Sequence, residues 1–330
     1  MNVLGVYPGI GSMMVYFRDN PDYKVLGSIE DRNQFKNETF EKNFNAPQFP
    51  HLPSRKELGG RPDIMVGHPS CTFFSGLNNT HKSKKYADSI ANYVKMVDHY
   101  KPAVFVLENL NKAHTVYNEE YFKEHLHKYH TQIHFVNFKE HRGGQNRKRM
   151  IVIGTRFEYE YTLEKTENEA LIETCLSGNN TAHDNDITIQ PDDAVLGWTQ
   201  HSVYNNHDYT TAFAEDMVVL CEQMVNRGSF KYWNRNGEQK TRIGCRWKWS
   251  YEMCPVVNGT AWDGIFVRDK ERYLTLRERL RLADMPDDFI LYPLFDRYGS
   301  TEYRKCLPMT SKICCANYFI DLFGDIEDQL

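Results

Sequence analysis

Short apolar runs alternate with segments of helical period through the first half of the chain. Strand-like runs fall at Val3–Val6, Lys24–Ile29, Asp63–Val66, Ala103–Leu107, Ile133–Phe138 and Arg149–Gly154. Between them, Phe35–Phe44, Ser89–Tyr100 and Asn118–Tyr129 have the spacing of helices with one buried face, and Met13–Phe17 reads as a helix start. Apolar strands separated by helices predict an α/β fold with a mostly parallel, doubly wound sheet. Past about residue 157 the texture changes. Residues 158–250 are polar, without clean periodicity, and interspersed with Trp198, Tyr204, Tyr209, Tyr232, Trp233, Trp247 and Trp249. Disordered segments are poor in aromatics, so this predicts a second, irregular module. Regular pattern returns with helices expected around Thr275–Ala283 and over Ser311–Phe323, the latter packing back on the sheet. The expected organisation is therefore 1–157, 158–268 and 269–330, the last segment rejoining the first.

At 330 residues the chain can bury one full core and a second, smaller one. It has no run of about 18 apolar residues, so no membrane span is expected. Met1-Asn2-Val3-Leu4 leads straight into a strand pattern rather than a secretory signal. The eight Cys form no Cys-x-x-Cys pair, which suggests reduced thiols in a cytosol. A net charge of −4 argues weakly against nucleic acid. Binding follows the local potential of a cleft, however, and basic residues cluster at His81–Lys85, Arg142–Arg149 and Arg242–Lys248.

Candidate chemistry gathers at strand ends. Tyr7-Pro8-Gly9-Ile10-Gly11-Ser12 follows the first strand as a glycine turn leading into a helix, which lets backbone approach a ligand closely. Glu30, followed by Asp31, ends the next strand, where a carboxylate can accept hydrogen bonds from both hydroxyls of a ribose. A nicotinamide dinucleotide wants a third glycine where this chain has Met14. S-adenosylmethionine has ribose and adenine but no phosphates and fits better, with Asp63 and Ile64 placed to meet the adenine. Gly67-His68-Pro69-Ser70-Cys71 puts a thiol on a turn after a strand, as an α/β enzyme presents a nucleophile. Alone, such a Cys is more often a small core residue. Glu108 closes another strand, where desolvation is expected to raise its pKa and make it a proton donor. Gln145, Arg147 and Arg149 share one face of an extended segment and offer convergent donors.

In this order the segments resemble the DNA cytosine-5 methyltransferase family over nearly the whole chain. Tyr7–Ser12 is similar to its Phe-x-Gly-x-Gly-Gly motif, Glu30 to its ribose-binding acid and Asp63-Ile64 to its adenine-side pair. Gly67–Ser75 resembles the Pro-Cys-Gln-x-Phe-Ser nucleophile motif, Glu108-Asn109-Leu110 the Glu-Asn-Val motif, and Gln145–Arg149 the Gln-x-Arg-x-Arg motif. Arg272–Phe289 resembles a late Arg-x-Leu-Thr-x-Arg-Glu…Phe-Pro-Asp-x-Phe segment, and 158–250 sits where the family carries its target-recognition domain. Departures are Ser70 for the usual Pro, Thr72 for Gln, Ser12 for Gly, and Met309-Thr310-Ser311 for the C-terminal Gly-Asn-Ser/Ala motif. The catalytic loop, roughly Gly76–Asp88, uses Lys where relatives often have Arg and Gly.

The resemblance implies a Rossmann-like methyltransferase fold and S-adenosylmethionine as cofactor, with Ser311 returning to its pocket. It implies methyl transfer to carbon 5 of a cytosine flipped from double-stranded DNA. Cys71 would be the nucleophile, Glu108 the N3 acid, Arg149 the O2 ligand, Arg147 a phosphate contact and Gln145 a loop support. A monomer without metal, in a bacterial or phage-infected cytosol, is expected. Two alternatives accompany this reading: methylation of transfer RNA, as relatives with the same core do, and a silent DNA-binding protein.

Overall fold

The computed structural model describes residues 1–30, 34–74, 88–145, 147–166, 276–290 and 313–330, together with strands at 219–224, 230–233, 239–242, 244–249, 263–267 and 272–273. The expected sheet is present. Its strands are β1 (Asn2–Val6), β2 (Lys24–Ile29), β3 (Gln48–Phe49), β4 (Ile64–Gly67), β5 (Val104–Asn109), β6 (His130–Asn137) and β7 (Lys148–Thr155), in the order β3-β2-β1-β4-β5-β7-β6. Strands β3 through β5 of that order run parallel, while β7 lies antiparallel between β5 and β6. Two-residue β3 is too short to show a period and was not expected. β5 runs two residues past Leu107 and so takes Glu108 into the strand.

Alternate strand residues feed two cores, one on each face. Val3, Ile64, Val66, Val104, Val106, Ile151 and Ile153 pack with α1 (Val15–Arg18) and the last described helix, Ala316–Glu327. Leu4, Val6, Met65, Phe105, Leu107, Met150 and Val152 form the other core. Against that second face lies Ser89–Tyr100, whose buried Ile90, Tyr93, Val94, Val97 and Tyr100 follow helical spacing. Each such apolar side chain contributes about 1.5–3 kcal/mol on burial. Tyr93 also donates its hydroxyl to the carbonyls of Met65 and Val106, at 3.1 and 3.0 Å. A Cβ on Gly67 would sit 2.2 Å from this ring, so the glycine that ends β4 is required by helix packing.

The remaining helices are α2 (Gln34–Phe44), α3 (Arg55–Leu58), α4 (Ser89–Tyr100), α5 (Glu119–His125), α6 (Leu276–Arg281) and α7 (Ala316–Glu327). α5 begins where the Asn118 side chain accepts the Tyr121 N–H at 3.0 Å. It is shorter than the expected Asn118–Tyr129 because Leu126 leaves the helical conformation, at φ −130° and ψ 46°. α7 starts after Cys315, later than expected.

The region read as irregular contains antiparallel strands. β8 (Val219–Met224) lies between β11 (Gly244–Trp249) and β12 (Asp263–Val267), and β13 (Arg272–Tyr273) pairs with β12. β9 (Phe230–Trp233) pairs with β10 (Gln239–Arg242). The alternation of Cys245, Trp247 and Trp249 with Arg246 and Lys248 was the available strand signal. Pairing of β12 with β13 crosses the boundary expected at 268/269. Among the described residues, no helix is long and apolar enough to cross a membrane.

Candidate active site

Parallel strands bring their carboxyl ends to one rim, and the site is built there. After β1 the chain turns through Tyr7, Gly9 and Gly11, with φ of 55°, 63° and 94°. The Gly9 N–H donates to Glu30 Oε2 at 3.0 Å, so the acid beyond β2 lies against the glycine turn as expected. Gly11 is held by packing, since a Cβ there would lie 2.3 Å from the Phe44 ring. Ile10 turns its side chain into the core rather than toward a ligand. Ser12 has an evident structural part. Its Oγ accepts the Cys314 N–H at 3.0 Å, tying the segment before α7 to the turn.

Asp63 and Ile64 do not join this rim. They enter β4 at the amino end of the sheet, where Asp63 Oδ2 accepts the Asn2 N–H at 2.8 Å and Ile64 is core. In a parallel sheet the residue that begins a strand lies a full strand length from the rim, about 10 Å or more here. The expectation of an adenine contact there is corrected. Asp31 and Ser311 lie outside the described residues, as does most of the expected loop Gly76–Asp88.

Beyond β4, Cys71 is partly exposed, whereas Cys314 and Cys315 are buried. Around it the departures from the family motif bond to one another: Ser70 Oγ and Thr72 Oγ1 lie 2.9 Å apart. The Ser70 carbonyl accepts from Ser89 Oγ at 3.1 Å, and the Pro69 carbonyl from Asn109 Nδ2 at 3.1 Å. The thiol is thus carried on a turn anchored to α4 and β5.

Antiparallel β7 starts where β5 ends, so Arg149 meets Glu108. Arg149 Nε lies 2.6 Å from Glu108 Oε1, and His68 Nε2 lies 2.8 Å from Oε2. Both are close contacts between buried groups. Glu108 is 1 % exposed. Burial pushes its pKa up, but the charges of His68, Arg149 and Arg147 overcome this and hold it low, to about 2. The expectation of a pKa raised by desolvation is therefore corrected: the carboxylate is ionised because its counter-charges are buried with it. Burial and the neighbouring Arg147 in turn push Arg149 down, against the pull of Glu108.

Arg147 is 3 % exposed, inside the cluster, and does not present a surface for a phosphate as expected. Gln145 donates through Nε2 to the Leu282 carbonyl at 3.0 Å, which agrees with support of its loop. Two residues were missed by the sequence reading. His68 stands inside the nucleophile motif, where the neighbouring thiol carries the recognisable chemistry. Cys314 Sγ, 3.8 Å from His68 Nδ1, gave no local signal.

The adjoining loop carries a titrating group. Asp284, at φ 57°, accepts the Gly144 N–H at 3.2 Å. Burial raises its carboxyl from 3.8 to about 7, against the lowering effect of that N–H, Cys315 and Arg142. A pKa raised on folding gives stability that is full below the unfolded value and lost as pH rises through the folded one. Asp284→Asn keeps the acceptor and tolerates the left-handed backbone. Relative to the native chain it should gain on the order of 3 kcal/mol between about pH 4 and pH 8. Urea denaturation of both proteins across that range checks this, and a constant difference contradicts it.

Set beside known proteins, residues 1–300 match the family model of the C-5 cytosine-specific DNA methylases. The chain belongs to that family. It is a methyltransferase, and the family's reaction is methyl transfer to carbon 5 of cytosine. A Methanocaldococcus jannaschii protein named as a type II methyltransferase, M.MJ0563P, is 21% identical over 313 residues, covering 88% of this methylase and 90% of the relative. The Entamoeba histolytica methyltransferase EhMeth superposes with a TM-score of 0.64 at 14% identity, covering 100% of this methylase and 98% of that chain. The S. pombe Dnmt2 methyltransferase does so at 0.59 and 13% identity, covering 100% and 99%. At such identities the structural likenesses establish the fold of the methylase.

Proposed function

We propose that the protein methylates carbon 5 of cytosine in DNA through a covalent adduct at Cys71. The observation that carries this is the arrangement at the rim: an accessible thiol on an anchored turn, next to a buried carboxylate paired with a guanidinium. Carbon 5 of cytosine is a poor nucleophile, and a stacked base is out of reach, so the base must be extruded at a cost of a few kcal/mol. Addition of the Cys71 thiolate to C6 opens the 5,6 double bond and turns C5 into an enamine-like carbon. Arg149 holds O2 as charge develops, and Glu108 engages the N3 and N4 edge. Once C5 is substituted, its proton leaves to a base and the Cys71–C6 bond breaks, restoring the ring. The thiolate is the form of a cysteine that attacks, and Arg149 lies near enough to Cys71 for their charges to interact.

The turn at Tyr7–Gly11 and the Glu30 carboxylate fit S-adenosylmethionine. Glu30 is buried beside the turn, with one oxygen set by the Gly9 N–H, and such a carboxylate suits a ribose diol. Held there, the cofactor would supply an electrophilic sulfonium methyl. Tyr7, Gly9 and Gly11 would line the pocket and Glu30 would orient the ribose.

Duplex DNA is favoured over RNA by the family match. A 5-fluorocytosine duplex incubated with enzyme and S-adenosylmethionine should yield a complex that survives denaturation, because fluorine at C5 cannot leave as a proton does. Mass spectrometry should place the link at Cys71. Trapping on an RNA hairpin in preference to DNA would transfer the reading to RNA, and no trapping on either would refute the covalent route.

A further inference from the structure

We propose that His68 is the proton carrier of the site: an imidazolium that holds Glu108 and passes its Nε2 proton through that carboxylate to N3 of the extruded cytosine. This deepens the proposed function and rests on it. His68 follows β4 directly and is 2 % exposed. Its Nε2 lies 2.8 Å from Glu108 Oε2, and its Nδ1 lies 3.8 Å from Cys314 Sγ. The ring is thus approached at both nitrogens, and it is buried together with Glu108.

Addition of a thiolate to C6 places negative charge on the ring, which a proton at N3 neutralises. Glu108, held low by its cationic neighbours, does not carry that proton at neutral pH by itself. The charged and titratable groups facing the pair are Arg149 and Arg147 at the start of β7, Cys71 beyond β4 and Cys314 before α7. The guanidiniums do not release protons at working pH, burial pushes the Cys314 thiol up, and Cys71 is the nucleophile. That leaves the His68 imidazole, which can both give and take back a proton, in contact with the carboxylate.

The transfer balances. The His68 Nε2–H bond breaks as an O–H bond forms on Glu108, and that O–H bond breaks as N3–H forms, leaving His68 neutral. When Cys71 leaves, the N3 proton returns by the same path, while the C5 proton goes to a separate base.

A bound cation is the competing reading, since ligand atoms of His68, Glu108 and Cys314 lie within 4.8 Å of one another. His68 turns opposite ring nitrogens to Glu108 and Cys314, so both contacts cannot be kept around one ion. Arg149 and Arg147 already counter the carboxylate and would repel a cation.

The test is single-turnover methyl transfer to a cytosine duplex from about pH 6 to about pH 9, for the native enzyme, His68→Gln and His68→Gly. The native rate should be bell-shaped, with an alkaline fall that depends on residue 68. His68→Gln should be slower by roughly 10²-fold, with unchanged DNA affinity and without the alkaline fall. His68→Gly should regain rate with added imidazole, in proportion to its protonated fraction. Turnover of His68→Gln within a few-fold of native, or retention of the alkaline fall, overturns the proposal. If neither variant folds, the native profile decides, because a rate that does not fall toward alkaline pH overturns it as well. A native enzyme that methylates no cytosine brings down the proposed function itself, whereas an active enzyme indifferent to residue 68 removes only this inference.

Discussion

Cys71→Ala should transfer no measurable methyl group to cytosine, a loss of roughly 10⁴-fold or more, as expected when a nucleophile and not a binding contact is removed. Its partly exposed position and the bonds of the surrounding turn, which run through Ser70, Pro69 and Thr72, mean that the fold does not depend on the sulfur. The denaturation midpoint should therefore move little, by less than about 1 kcal/mol, and cofactor binding by calorimetry should stay close to native. Labelled methyl transfer decides the matter: a fully active alanine enzyme removes the mechanism.

Glu108→Gln should be damaging in two ways. Activity should fall by about 10²-fold or more, because the N3 and N4 edge loses its charged partner. Stability should fall by about 3–5 kcal/mol, because Arg149 and Arg147 remain buried with their counter-charge gone. The pH dependence has a definite sign. A carboxyl whose folded pKa is depressed contributes stability above its unfolded value and loses it as pH falls through the folded one. The gap between native and Gln proteins should be full above about pH 4.5 and close progressively toward pH 2. Denaturant titrations at neutral and acid pH measure it. A Gln variant as stable as native at pH 7 would show that the ion pairs are not stabilising.

Much of the architecture was legible because the central strands are apolar on both faces and the helices keep one apolar stripe. Periodicity placed β2 and α4 at their observed bounds. Short elements escaped it: β3 has two residues, and the strands after residue 218 are two to six residues long within long polar surroundings. At the site, residues that follow strands were found because chemistry concentrates at one rim. Asp63 failed because sequence gives a strand's neighbourhood more readily than its end. Glu108 failed differently. Its burial was foreseeable, but its protonation depends on His68 and Arg149, which arrive from other strands. Cys314 lies 246 residues from His68 in the chain, and no local pattern connects them.

The bond from the Cys314 amide to Ser12 has a temporal consequence. Ribosomal synthesis delivers the glycine turn 302 residues before the donor that fixes its serine, which emerges only after β1–β13 and α6 have been made. A nascent chain can assemble the seven-stranded sheet as it appears, but the turn after β1 is braced only once Cys314 has been made. Partly made chains that stop short of Cys314 therefore lack this brace.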